Sequence, residues 1–428
     1  MHRQFFYFGA VVFGAGGQFL ANYFMSQNLD LQTFGFFSLV LSLVGAASSL
    51  VLFGQATAMS VVIFSDEKVG NRYFSREIRT SLGLIAVLFC GCSIIAAILW
   101  FYFYKNDFDL SFVTLLIAGS LAMALQLFFM SLIQCLDHYK GYFTASVLGA
   151  TILISFAWFA STPNDYILGI ITSAASVSVL VVIFLAKEFF SDNKNEYGEE
   201  FGGEELVVLG CVAVPGMLIT YAAAFADKYL LSKFLSLEAV GLYSLGFLIS
   251  VGAGRVLVSG ILRANSVYFM QHLQRSEFNQ AAKLLERSEA LICTFCILAL
   301  AGYYTVGLPL ITLIFGERYL PAYPLMLGLF IAVMIEGMVF FLAQVIIQKK
   351  KLYLLVANNF ILLVISVGFN YLLIPIFNLN GPVLVLFFTQ LILLLIVFYQ
   401  VKKIAGWVRF PWYLLSTATC IFTFNQLA

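Results

Sequence analysis

Charge is scarce in this chain. Only 11% of its 428 residues are Asp, Glu, Lys or Arg, while 62% are hydrophobic. Soluble globular domains carry about 25% charged residues, so an ordinary soluble domain is excluded. Histidine is nearly missing: His2, His138 and His272 stand at the boundaries of apolar runs, and no metal or catalytic role is expected of them. The seven cysteines (Cys90, Cys92, Cys135, Cys211, Cys293, Cys296 and Cys420) all fall in or beside such runs. Cys293-x-x-Cys296 has the spacing of half a metal site, but no second Cys or His pair stands at a suitable distance. Small, polarizable packing residues are the expectation instead. Walker A, G-x-S-x-G, HExxH and DxD-type signatures are all absent. The chain therefore reads as neither an enzyme nor an ATP-driven pump, with no cofactor, no metal and no nucleic-acid partner implied.

What the chain does have is long apolar runs. Twelve are each about 20 residues or more, enough to cross roughly 30 Å of hydrocarbon. They cover about 4–26, 33–64, 80–103, 110–134, 143–160, 166–186, 206–231, 241–270, 288–310, 321–347, 353–376 and 382–401. A shorter thirteenth lies at about 412–428. The first run is too long for a signal-peptide core and has no separate cleavage zone, so it is expected to be the first span. With the N-terminus cytoplasmic, 17 of the 23 Lys and Arg fall inside, three outside (Lys105, Lys233, Arg318) and three within spans (Lys228, Arg255, Arg263). That asymmetry is the positive-inside signal.

Connections on the outer side are short, so no large external domain is expected. The longest inner connection, 187–205, holds seven acids against two lysines and reads as a solvated linker between halves. Residues 271–287 read as an amphipathic interfacial helix through Phe278, Ala281, Ala282, Leu284 and Leu285.

The two halves are copies. A shift of 206 lays residues 21–60 over 227–266 without a gap, and ten of forty positions are identical. Among them are Tyr23/Tyr229, Ser26/Ser232, Leu31/Leu237, Gly35/Gly241 and Gly54/Gly260. Six spans per copy is even, so the copies share one orientation and are parallel repeats. The expected fold is all-α and polytopic, with about twelve transmembrane helices in two six-helix lobes around a cavity. The expected bounds are 1–186 for the first lobe, 187–205 for the linker, 206–402 for the second lobe and 403–428 for a tail.

Four charges interrupt the apolar region 225–266: Asp227, Lys228, Arg255 and Arg263. A charge at membrane depth costs about 2.5–3.5 kcal/mol on insertion scales, and such charges usually face a bundle interior or a hydrated cavity. Asp227 and Lys228 are neighbours, so on a helix they point about 100° apart and each needs a partner elsewhere. Arg255, Ser259, Arg263 and Ser266 fall at about 0°, 40°, 80° and 20° around a helix, on one face. Two guanidinium forks beside two hydroxyls suit phosphate. The alternative is interhelical pairing of the arginines with Asp227, Glu289 or Glu336. The first copy has Ser49 and Thr57 where the arginines stand, and Ala21 and Asn22 where Asp227 and Lys228 stand. The repeat therefore does not require these charges. Glu336, mid-way along the tenth run, is a candidate proton or sodium coupling residue or a structural partner of an arginine, and Asp227 is a second coupling candidate. Gln18, Asn22, Gln55, Thr57, Asn358, Asn359 and Asn370 read as helix–helix hydrogen-bonding residues.

Several stretches resemble one family. Phe225-Ala-Asp227-Lys228-Tyr-Leu-Leu-Ser232 followed by Glu238-Ala-Val-Gly241-Leu-Tyr243-Ser244 is similar to the seventh-to-eighth-span segment of Wzx-like O-antigen and polysaccharide flippases. These belong to the multidrug/oligosaccharidyl-lipid/polysaccharide (MOP) exporter superfamily. Phe34-Gly35-Phe36-Phe37-Ser38-Leu39 with Phe53-Gly54, Phe315-Gly316-Glu317-Arg318-Tyr319 and Asn370-Tyr-Leu-Leu-Ile-Pro375 extend the resemblance along the whole chain. It implies a V-shaped bundle in the bacterial inner membrane that moves undecaprenyl-diphosphate-linked oligosaccharide between leaflets by alternating access. Lys228, Arg255, Ser259 and Arg263 would then bind the diphosphate and anionic sugars. Membrane lipids, H+ or Na+ as coupling ion, and other polysaccharide-assembly proteins are the further partners implied. Two departures stand out: Asn380-Gly381-Pro382 replaces the family's glycine-rich turn, and its basic or aromatic residues are missing around Ala58–Phe64. The alternative is an ion-coupled drug or small-molecule antiporter of the superfamily, but such antiporters commonly carry an acid in the first span, where this chain has Asn22. A membrane polysaccharide polymerase or ligase is a further alternative, and the short outer connections count against it.

Overall fold

The computed structural model describes residues 2–55, 74–99, 110–136, 138–186, 203–349, 351–406, 408, 411, 416 and 417. Twelve long helices occur among the described residues. They are α1 (His2–Asn28), α2 (Leu31–Leu52), α3 (Phe74–Leu99), α4 (Leu110–Cys135), α5 (Tyr139–Phe159) and α6 (Pro163–Phe184). The second set is α7 (Gly203–Phe234), α8 (Leu237–Gln274), α9 (Phe278–Phe315), α10 (Tyr323–Gln348), α11 (Leu352–Phe377) and α12 (Asn380–Ala405). No strand is found among the described residues. Nine of the described helical stretches are long and apolar enough to cross a bilayer. In hydrocarbon every backbone N–H and C=O must be satisfied within the protein, which a helix does locally. The chain is a multi-pass, all-α membrane protein.

The duplication is visible in element ends and caps. Asn28 and Phe234 close α1 and α7, and Leu31 and Leu237 open α2 and α8, each pair 206 positions apart. Ser26 Oγ donates to Tyr23 O at 2.7 Å, and Ser232 Oγ to Tyr229 O at 2.8 Å. Asp30 Oδ1 accepts from Thr33 N at 3.2 Å, and Ser236 Oγ from Ala239 N at 3.1 Å. A cap of this kind contributes about 1 kcal/mol. The copies diverge further on. Phe53 (φ 48°) and Gly54 (φ 65°) take left-handed backbone and end α2, whereas α8 runs on through Gly260.

Two compact units emerge from the contacts. One comprises Met1–Asn28 with Val40–Tyr221, the other Leu29–Leu39 with Ala222–Ala428. In the first, Phe128, Leu132, Ile133, Val177 and Val181 form a core shared by α4 and α6. In the second, α10 is the central helix, packed on α8 and α12. Its apolar window, taken with the 3₁₀ turn Glu317–Ala322 before it, is 89% buried. Cys293 and Cys296 are free, buried and part of this core, as expected of packing residues.

The separate interfacial helix expected at 271–287 does not form. α8 continues to Gln274 and α9 begins at Phe278, leaving only a tight turn. Glu277 N donates to His272 O at 2.8 Å and its carboxylate contacts His272 Nδ1 at 2.6 Å. The amphipathic pattern there has a packing cause: Ala281 and Leu285 are buried against Phe269 and Leu273 of α8. The linker at 187–202, the loop residues 56–73, and 412–415 with 418–428 of the thirteenth run lie outside the described residues.

Candidate functional site

Asp227 and Lys228 diverge as helix geometry requires. Asp227 is buried on α7, and its Oδ1 accepts from Ser366 Oγ at 3.1 Å and from Asn370 Nδ2 at 2.6 Å. Ser366 and Asn370 are four apart on α11 and share one face, with Asn370 Nδ2 3.3 Å from Ser366 Oγ. The Asn370 carbonyl oxygen is buried without a hydrogen-bond partner among the described residues. Two side-chain donors on α11 thus hold one oxygen of a buried aspartate on α7.

Lys228 points the other way. Its Nζ donates to Ser38 O on α2 at 3.2 Å, within the second compact unit.

Arg255 on α8 meets Glu336 on α10, with Nη2 3.3 Å from Oε1 and 3.5 Å from Oε2. Each charge has a glycine beside it in sequence. A Cβ on Gly254 would lie 3.0 Å from Val333 Cγ1, and one on Gly337 would lie 2.4 Å from Val258 Cγ1. These glycines let α8 and α10 approach closely enough for the charges to meet. The pair is not packed away: the Arg255 side chain is 58% exposed and that of Glu336 39%. Among the described residues only Nη2 engages the carboxylate, and more than half of the side chain is exposed.

The sequence-derived site residues therefore fall in three places: an Asp227 cluster, a Lys228–Ser38 link and an Arg255–Glu336 pair. Ser259, Arg263 and Ser266 lie on α8, but their side chains are outside the described set. So is Thr57. Sequence reasoning did not single out Ser366 and treated Asn370 as a helix–helix residue. Their four-residue spacing opposite a buried aspartate is the signal that finds them. Of the other polar residues, Asn22 donates to Gln18 O in its own helix, and Gln55 accepts from Ser81 of α3 at 2.8 Å.

No family model matches the chain, and no curated protein matches it in sequence. Solved structures do match in fold. One is a multidrug resistance MATE family transporter of the MOP superfamily in an inward-facing conformation. It has a TM-score of 0.65 and 13% identity, over 92% of this chain and 95% of that one. A MOP superfamily transporter from Pyrococcus furiosus, described with a binding pocket of reversed polarity, gives 0.63 and 12% over 94% and 95%. The Vibrio cholerae MATE transporter VcmN gives 0.63 and 13% over 95% and 97%. At such identities the likeness is one of architecture, and in architecture this chain has the fold of the MATE transporters of the MOP superfamily.

Proposed function

We propose that this protein is a transporter that moves undecaprenyl-diphosphate-linked oligosaccharide from the cytoplasmic to the periplasmic leaflet of a bacterial inner membrane. The observation that carries this reading is Arg255, a half-exposed guanidinium on an apolar helix, held loosely by one carboxylate. A charge facing lipid at that depth is costly, so the space it faces is hydrated or filled by an anion. A phosphate presents two oxygens to the guanidinium fork and makes stronger bonds than the long contact to Glu336. In this reading Ser259 and Arg263, further along α8, extend the anion-binding face of Arg255, Lys228 offers a separate cation on α7, and Glu336 is the counter-ion that holds Arg255 before ligand arrives. Asp227, Ser366 and Asn370 form the coupling site for H+ or Na+. The N-terminus is cytoplasmic, following the distribution of basic residues.

A second reading, ion-coupled drug antiport, is favoured by the MATE neighbours named for multidrug resistance. The buried Asn22, hydrogen-bonded within α1, stands against recognition of cationic drugs there. Complementation of a bacterial strain lacking its surface-polysaccharide flippase distinguishes the two. Restored surface glycan that is lost again in Arg255→Ala and Arg263→Ala, at wild-type protein levels, supports the proposal. Full surface glycan in both variants overturns it.

A further inference from the structure

Helix α2 is divided between the compact units, with Leu29–Leu39 grouped with Ala222–Ala428. Within that unit its first turns are seated by several contacts of different chemistry. Phe34 and Phe37 are buried, and the Phe34 ring stands edge-on to Tyr319 at 6.5 Å. Backbone meets backbone at Gly35 and Gly241. A Cβ on Gly35 would lie 1.9 Å from Leu237 O, and one on Gly241 would lie 2.5 Å from Leu31 O. Both pairs, Gly35/Gly241 and Leu31/Leu237, are related by the 206-residue repeat. The crossing is therefore self-complementary: each helix offers its glycine to the other's carbonyl.

The apolar and backbone contacts are indifferent to an anionic ligand. The bond from Lys228 Nζ to Ser38 O is of another kind. Ser38 lies inside α2, where its carbonyl also serves the helix ladder. A phosphate oxygen is charged and is a much better acceptor for an ammonium than such a carbonyl.

We propose that the first turns of α2 form a clasp on α7 and α8, and that a phosphate-bearing ligand releases it by drawing Lys228 away from Ser38. The inference rests on the assignment of Lys228 to phosphate binding made above. It adds a mechanical consequence: ligand arrival frees one helix end.

The experiment uses the full chain in nanodiscs, with the seven native cysteines replaced and a single cysteine at Phe34→Cys or, separately, Phe37→Cys. Labelling by a small polar maleimide reads undocking, and undecaprenyl diphosphate is the probe, its binding measured in parallel. The wild-type clasp should label slowly, and the lipid should raise the rate about tenfold or more, the scale of one charge-assisted hydrogen bond. Lys228→Ala should label fast without lipid and no longer respond to it, and Lys228→Arg should restore slow labelling. Lys228→Ala that labels at the wild-type rate overturns the clasp. So does unchanged wild-type labelling when the lipid demonstrably binds. Equal lipid affinity in wild type and Lys228→Ala instead overturns the phosphate role of Lys228, and with it the trigger.

Discussion

Arg255 and Glu336 meet at 3.3 Å across α8 and α10 because each has a glycine beside it that lets the helices close. The pair is exposed, and in the hydrated cavity proposed above its two charges remain solvated, so their attraction contributes little stability, about 0–1 kcal/mol. Glu336→Gln should therefore leave the melting temperature in detergent nearly unchanged. It should tighten binding of undecaprenyl diphosphate, because the guanidinium loses its competitor. Weaker binding would show that Glu336 itself contacts the ligand.

Gly35 and Gly252 form a matched test of close packing. Gly35→Ala places a methyl group on the carbonyl of Leu237, and overpacking of this kind costs about 1–3 kcal/mol. Among the described residues nothing lies within 4 Å of a Cβ on Gly252, in the middle of α8. Gly252→Ala should be neutral or stabilising by up to about 1 kcal/mol through helix propensity. Thermal unfolding of both variants checks the ranking, and equal melting temperatures would contradict the packing at Gly35.

Much of this architecture was legible in the sequence, and the reasons are physical. Apolar runs report spans because lipid admits few charges, and the shift of 206 read in the sequence recurs in the paired ends Asn28/Phe234 and Leu31/Leu237. The run at 33–64 misled about the length of α2, since hydropathy does not register the left-handed backbone at Phe53 and Gly54. The amphipathic stretch after Gln274 misled for another reason: an apolar face bound for a protein core and one bound for a lipid surface have the same periodicity. At the site, residue 227 needed a partner, but which helix supplied it depended on packing that no local pattern encodes. Asn370 was visible only as one polar residue among several.

Asn358 and Gln400 exchange hydrogen bonds across α11 and α12, Nδ2 to Oε1 at 2.9 Å and Nε2 to Oδ1 at 2.8 Å. Interhelical bonds in membrane proteins average about 0.6 kcal/mol. Asn358→Leu should destabilise more than that average, because it leaves the amide of Gln400 without its partner. The double variant Asn358→Leu/Gln400→Leu should recover part of the loss, as a double-mutant cycle of melting temperatures would show. Strict additivity would mean the two amides are not coupled.

Asp227→Asn keeps the shape of the buried cluster while removing its charge. If Ser366 and Asn370 support a coupling carboxylate, this variant should fold with wild-type stability and lose stimulation of transport by a proton or sodium gradient. Retained stimulation would make the cluster a structural one.

Reconstituted translocation tests the central claim most directly. Purified protein in proteoliposomes should carry an undecaprenyl-diphosphate-linked oligosaccharide between leaflets. Arg255→Ala and Lys228→Ala should each slow that movement by about tenfold or more, the scale of one lost charge-assisted phosphate contact. Arg255→Lys should recover only part of the rate, since a point charge does not replace the bidentate fork. Translocation at the wild-type rate in Arg255→Ala, or movement of organic cations in place of the lipid-linked sugar, would contradict the account.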